Sequence, residues 1–125
     1  MRRRCLRRQQ DEDGVVAVEL ALVLPVLVML VFGIIQFGIA FNRYQGVHAA
    51  AREGARVGAV VPGGECARAL DAMDGLGVSS NCTVIESCPG DHVVVEVTAD
   101  NAIEIPFVGS RTVTLKGRAE YRCEY

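Results

Sequence analysis

An uncharged apolar run is the feature that most limits how this chain can fold. No charged side chain occurs from Leu20 to Asn42, a run of 23 residues. About 20 apolar residues in a helix cross the hydrocarbon core of a bilayer, so this run predicts a transmembrane helix over residues 15–41. A cleaved secretory signal peptide is the alternative, because the chain begins with arginines. Its apolar region would be only about 7–15 residues long, which favours a retained helix here.

Charged residues on the two sides of the run predict its orientation. Residues 1–14 form a basic leader with five arginines among the first eight residues. Basic flanks stay on the cytoplasmic side of a membrane. We therefore expect a single-pass protein of the cytoplasmic membrane, with its N-terminus in the cytoplasm and its C-terminal domain outside. Four of the five cysteines fall in that outer part, where disulfides are permitted.

A single carboxylate, Glu19, interrupts the apolar stretch. Its burial in lipid would cost a few kcal/mol unless the side chain reaches the headgroups. A cut after Gly14 would give Val15 a new α-amine, which is largely protonated at neutral pH. Glu19 lies one helical turn from that amine. Pairing of the two groups, within one helix or between neighbouring subunits, would offset the cost of burial.

The residues around this junction resemble a known family. Two stretches look like the TadE-like minor pilins of tight-adherence (Flp-type) pilus systems: Gly14-Val-Val-Ala-Val-Glu-Leu-Ala-Leu-Val-Leu-Pro-Val-Leu27 and Ala49-Ala-Ala-Arg-Glu-Gly-Ala-Arg56. The resemblance implies a structural minor pilin or pseudopilin that a prepilin peptidase cuts between Gly14 and Val15, with Glu19 in subunit docking. The implied partners are the membrane, the peptidase, other pilin subunits and the pilus assembly machinery. Processing would allow transfer from the membrane to an extracellular pilus.

The helix is expected to continue outside the membrane over residues 42–61, because the first strong stop is the Pro-Gly-Gly sequence at 62–64. Small residues recur there at every fourth position: Gly46, Ala50, Gly54 and Gly58. Such a row lets another helix approach closely. Packing against the chain's own outer domain is an equally good interpretation.

The remaining residues, 62–125, predict a small outer domain. A short helix is expected over 65–74, followed by antiparallel strands at 82–87, 92–98 and 112–122. Residues 99–111 contain Pro106 and Gly109 and are interpreted as a loop. The predicted fold class is therefore α+β, with a long N-terminal helix and a small antiparallel sheet. A domain of this size usually needs covalent staples.

Disulfides would supply those staples, and four cysteines allow three pairings: Cys66, Cys82, Cys88 and Cys123. An extended strand over 82–87 would hold Cys82 and Cys88 roughly 20 Å apart. A disulfide needs Cα atoms within about 7 Å, so this pair is disfavoured. In a meander the end of the last strand lies beside the start of the middle one. That geometry favours Cys88–Cys123 together with Cys66–Cys82.

Catalytic and nucleotide-binding patterns are missing from the sequence. The cysteines lack the Cys-x-x-Cys spacing of zinc sites and thiol oxidoreductases, and His48 and His92 have no plausible nucleophile near them in sequence. No phosphate-binding loop is present, and the basic leader is too short for a nucleic-acid surface. We predict no enzyme activity, cofactor, metal, nucleic acid or small-molecule substrate. The main alternative to a pilin is an uncleaved single-pass anchor whose outer domain binds a partner.

Overall fold

The computed structural model describes residues 2–105 and 109–124, with side chains for 14–104 and 109–124. Five elements follow in chain order: α1 (Arg2–Gly58), α2 (Glu65–Asp71), β1 (Ser79–Glu86), β2 (His92–Ile105) and β3 (Gly109–Arg122). A long apolar helix followed by a small three-stranded antiparallel sheet and a short helix confirms the predicted α+β class. The chain divides into two compact units, one up to Ile35 and one from Gln36 onward.

The first unit contains the apolar part of α1. Every side chain from Gly14 to Ile35 is exposed, and Leu22 is 72% exposed. Among the described residues, α1 is the one helix long and apolar enough to cross a membrane. A helix that is apolar all round needs lipid or other apolar helices around it. The structure therefore supports the predicted membrane-spanning segment.

The second unit has its core between α1 and one face of the sheet. The strand order is β1-β2-β3, with both neighbouring pairs antiparallel. Side chains alternate along a strand, and every second residue of β2 is buried against the helix: Val93, Val95, Val97 and Ala99. The helix contributes one larger side chain and several small ones to this core: Val47, Ala50, Ala51, Ala55 and Ala59. Small side chains let helix and sheet approach closely.

The prediction of a loop over residues 99–111 is wrong. β2 continues to Ile105 and β3 begins at Gly109, and the two strands pair up to this last position. Asn101 belongs to the ladder with its side chain buried, so the strand continues through a polar residue. Gly109 has φ +113°, a backbone conformation that favours glycine at the start of β3. Pro106 lies outside the described residues.

Two helix ends also differ from the expected bounds. α1 ends at Gly58, three residues before the predicted 61, and a turn follows in which the Val60 N–H donates to the Val57 carbonyl. α2 ends at Asp71 rather than at residue 74. Both helices end in tight turns within a few residues of a glycine with positive φ, Gly63 at +93° and Gly75 at +88°. At its other end α1 begins at Arg2, so the leader is helical.

Candidate functional site

The predicted processing junction lies within the continuous helix α1. Gly14 has open space around it, since a Cβ built there would meet nothing within 4 Å. Val15 and Glu19 are both exposed and lie four residues apart. Residues at this spacing share one face of a helix, about 6 Å apart along its axis. An amine created at Val15 would therefore lie on the same face as the Glu19 carboxylate.

The row of small residues on α1 faces the chain's own outer domain: Gly46, Ala50, Gly54 and Gly58. A Cβ at Gly54 would lie 2.8 Å from the backbone oxygen of Glu65 and 2.9 Å from the Cβ of Ala69. Ala50 is fully buried. At Gly46 an added Cβ would meet the end of the Leu76 side chain. Of the two interpretations of this row, the structure shows packing within the chain.

A second close approach joins α1 to β3. A Cβ at Gly117 would lie 2.7 Å from the backbone oxygen of Val47 and 2.9 Å from its Cγ1. Only glycine allows the strand to come this near to the helix backbone. The sequence pattern did not identify Gly117, because it stands in the middle of an alternating strand. Its position becomes meaningful only once Val47 is placed opposite.

Two disulfides hold the outer unit together. Cys66 of α2 is bonded to Cys82 of β1, with their Cα atoms 5.5 Å apart. Cys88 is bonded to Cys123, with Cα atoms 6.0 Å apart. This is the connectivity that the strand geometry favoured. Because all four sulfur atoms are in disulfides, none is a thiolate ligand for zinc.

An ionic cluster links α1 to α2. The Glu53 carboxylate accepts hydrogen bonds from Arg56, at 2.7 Å, and from Arg68 of α2, at 3.1 Å. Arg68 also donates to Asp71 at 2.8 Å. The hydrogen bonds from Arg56 and Arg68 lower the pKa of Glu53 from 4.5 to about 2. The same carboxylate raises the pKa of Arg56. The cluster lies beside the glycine row and fixes α2 against the helix.

A polar contact extends the helix–sheet packing toward the apolar part of α1. Asn101 of β2 is only 2% exposed, and its side-chain oxygen accepts a hydrogen bond from Arg43. A buried amide without a partner would cost free energy, so this contact satisfies Asn101. The sequence pattern did not predict this pair, because Asn101 falls in the stretch that Pro106 and Gly109 marked as a loop.

The two histidines have separate surroundings. His48 packs edge-on against Tyr44 on α1, with ring centroids 4.5 Å apart. His92 begins β2, where its Nδ1 is 3.1 Å from a carboxylate oxygen of Asp91. Within the described part of the chain, no three side chains of the His, Cys, Asp or Glu types are grouped to hold a metal ion.

The comparison with known protein families gives a match that falls on α1. Residues 14–56 match the family model described as TadE-like protein. The match begins at Gly14 and includes Glu19, the small-residue row up to Gly54, and Arg56. No curated protein and no solved structure matches the chain. The resemblance drawn from the two sequence stretches is thus confirmed, and residues 14–56 are similar to the TadE-like family.

Proposed function

We propose that this chain is a structural minor pilin or pseudopilin of a Flp-type, tight-adherence pilus. Association with such a pilus system is the function that the TadE-like family indicates. One observation carries the finer proposal: the family match begins at Gly14, directly before an apolar helix whose fifth residue is Glu19. A prepilin peptidase would cut between Gly14 and Val15, leaving 111 of the 125 residues.

The exposed helix of the first unit supports a role in assembly. In the part of the chain that the structure describes, its side chains from Val15 to Ile35 are all exposed. Lipid would cover them before assembly, and the helices of neighbouring pilins would cover them in a fibre. In that apolar setting the Glu19 carboxylate of one subunit would pair with the Val15 amine of the next. This pairing would set the position of each subunit along the fibre axis relative to the next subunit.

The outer unit supports the structural role by its construction. Two disulfides, the ionic cluster around Glu53 and the close packing at Gly54 and Gly117 hold it together. Because the small-residue row is already covered by this unit, it is not free to bind other helices. Contacts with other subunits would therefore be made by the apolar helix of the first unit and by the outer surface of the second.

Processing is tested by co-expression with a prepilin peptidase, followed by intact mass measurement of the membrane fraction. The native chain is expected to lose its 14-residue leader. Gly14→Leu should retain it, because a bulky side chain would then stand directly before the proposed cut. Gly33→Leu is the matched control, since a Cβ at Gly33 also meets nothing within 4 Å. Retention of the leader in the native chain would contradict the proposal and favour the uncleaved anchor.

Docking is tested separately from processing with Glu19→Gln, which removes the charge and keeps the shape. This variant should be cleaved normally but should be lost from the sheared pilus fraction. Glu86→Gln is the control, because Glu86 is an exposed carboxylate on β1. Normal incorporation of Glu19→Gln into pili would refute the docking role while leaving the processing result intact.

A further inference from the structure

A cavity of about 660 Å³ lies on the surface of the second unit, between α1 and β3. The residues that line it are Tyr44, Gln45, His48, Ala49, Arg52 and Arg118. Arg118 belongs to β3 and the others to α1, all within the unit that begins at Gln36. We call this the α1–β3 cavity. Two of its lining residues carry guanidinium groups and none of those named carries a carboxylate, so the lining is cationic.

The helical period places three of these side chains on one face of α1. Tyr44, His48 and Arg52 follow one another at intervals of four residues. His48 packs edge-on against Tyr44, with ring centroids 4.5 Å apart. The Nε of Arg52 donates a hydrogen bond to the backbone carbonyl of His48 at 3.3 Å. Because a guanidinium group has five donors, this bond leaves the terminal nitrogens of Arg52 available to a ligand.

The arginine on the strand side stands next to the closest contact between strand and helix. Arg118 follows Gly117, which lies against the backbone of Val47. Across the sheet, Arg118 is paired with Glu96 of β2. In the described part of the chain, the basic residues that form salt bridges are Arg56, Arg68 and His92. Neither arginine of the cavity is therefore held by a carboxylate among the described residues, although Glu96 is a neighbour in the sheet.

The cationic cavity stands out because the rest of the outer part is acidic. Residues 42–125 contain eight Lys or Arg residues against eleven Asp or Glu residues. This excess of negative charge repels a polyanion such as nucleic acid, whereas single carboxylates are attracted where two positive charges lie together. The planar guanidinium group also matches the geometry of a carboxylate, to which it can donate two parallel hydrogen bonds. The charge pattern thus favours a ligand with isolated carboxylates.

The aromatic side of the cavity fits the stem of an acidic side chain. Tyr44 is 45% exposed, and the Nε2 of His48 is buried. The two rings therefore offer mainly carbon atoms to a ligand. The methylene groups of a glutamate side chain could pack on these rings while its carboxylate binds the arginines. An inorganic anion would leave the apolar surface uncovered.

The strand beside the cavity favours a peptide as the carrier of that carboxylate. The strand order β1-β2-β3 makes β3 an edge strand, and edge strands present backbone groups to which an extended segment can pair. The charged residues of β3 are mostly basic: Arg111, Lys116, Arg118, Glu120 and Arg122. Like charges on adjacent strands destabilise a sheet, so this edge disfavours a second copy of β3 and favours an acidic segment.

We propose that the α1–β3 cavity binds a carboxylate side chain from an acidic, extended segment of a partner protein. Arg52 binds the carboxylate from the helix and Arg118 binds it from the strand, while Tyr44 and His48 cover the stem. The backbone of the segment lies along the edge of β3. This recognition site goes beyond the proposed pilin function and does not depend on cleavage after Gly14 or on assembly of a fibre.

Fluorescence anisotropy of a labelled peptide tests this site, with the full chain in micelles of a neutral detergent. The probe is a short peptide of alternating glutamate and threonine, and its control carries glutamine in place of each glutamate. Arg52→Gln and Arg118→Gln each remove one guanidinium group of the cavity. Arg111→Gln is the matched control, because Arg111 is also exposed on β3 and lies about 23 Å along the strand from Arg118.

The expected result separates the cavity from the rest of the surface. The native chain and Arg111→Gln should bind the glutamate peptide equally, and added salt should weaken this binding. Arg52→Gln and Arg118→Gln should each bind it about tenfold more weakly, the order expected for the loss of a hydrogen bond between charged groups. The glutamine peptide should not bind. At equal ionic strength, inorganic phosphate should displace the glutamate peptide no better than chloride does.

Several outcomes would overturn the proposal. Absence of binding to the native chain, or equal binding of the glutamine peptide, would exclude recognition of a carboxylate. An equal loss of affinity in all three variants would show a general attraction of charge, and unchanged affinity in Arg52→Gln or Arg118→Gln would exclude the two-arginine site. Stronger displacement by phosphate than by chloride would show a phosphate site instead. Intact mass under non-reducing conditions and circular dichroism would verify the disulfides and the sheet in each variant, whose replaced arginine is exposed.

Discussion

Replacement of Gly54 by alanine tests whether α1 packs on its own outer domain. An added Cβ would lie 2.8 Å from the backbone oxygen of Glu65 and 2.9 Å from the Cβ of Ala69. Neither atom can move without a shift of α2, which Cys66 and Arg68 hold in place. Overpacking of this kind costs roughly 1–3 kcal/mol. Alanine has a higher helix propensity than glycine, and this difference offsets about 1 kcal/mol of the overpacking cost.

Gly46→Ala is the matched control on the same helix. It gains the same helix propensity, but the added Cβ meets only the end of the Leu76 side chain, which can rotate away. The free energy of unfolding of Gly46→Ala should therefore exceed that of Gly54→Ala by roughly 1–3 kcal/mol, the overpacking term alone. For a domain of 60–100 residues each kcal/mol changes Tm by about 4–8 °C.

The assay is thermal unfolding of the full chain in detergent micelles, followed by the circular dichroism of the sheet. We expect Gly54→Ala to melt at least about 4 °C below Gly46→Ala. If both variants raise Tm equally, Gly54 has free space and α1 does not pack on α2. The small-residue row would then be available to other helices, which would refute the intramolecular packing.

Three further predictions concern the outer unit. Because the pKa of Glu53 is lowered, its ionised carboxylate contributes its full stabilisation above pH 4.5, and this contribution is lost as the pH falls toward about 2. Tm should therefore fall less over this pH range in Glu53→Gln than in the native chain. In the chain-entropy model, a disulfide stabilises a fold more when it closes a longer loop. Denaturant unfolding should therefore show that Cys88→Ser, which removes the disulfide with a sequence separation of 35, lowers the free energy of unfolding by about 4 kcal/mol. Cys66→Ser, which removes the disulfide with a separation of 16, should lower it by about 3 kcal/mol, and the reverse order would contradict that model. Asn101→Ala should cost about 1–3 kcal/mol, because it removes the partner of Arg43 at a buried site, and an unchanged midpoint would show that the contact contributes nothing.

Local patterns predicted the parts of the fold that depend on local physics. The length of the apolar run gave the membrane-spanning candidate, and the strict alternation after Thr112 gave the last strand. Spacing was enough to favour Cys66–Cys82 and Cys88–Cys123, because an extended strand cannot bring Cys82 and Cys88 together. The Gly14 and Glu19 pair came from the family resemblance, since a glycine and a glutamate five residues apart carry little information alone.

Features that depend on tertiary neighbours were not predictable from the sequence. The small-residue row permits any close partner, and only the position of α2 shows which partner it has. Gly117 and Asn101 gain their roles from Val47 and Arg43, which lie far away in sequence. The long hairpin was missed because a buried asparagine broke the apolar alternation and Pro106 suggested a break, while pairing with β3 extends β2 to Ile105.

The N-terminus of this chain in assembled pili tests the central claim most directly. Pili would be sheared from cells that carry the complete secretion system, and the chain in that fraction would be sequenced from its N-terminus. A processed minor pilin predicts a chain that begins at Val15, with Glu19 as its fifth residue. A chain that begins in the basic leader, or that remains wholly in the membrane fraction, would contradict the account.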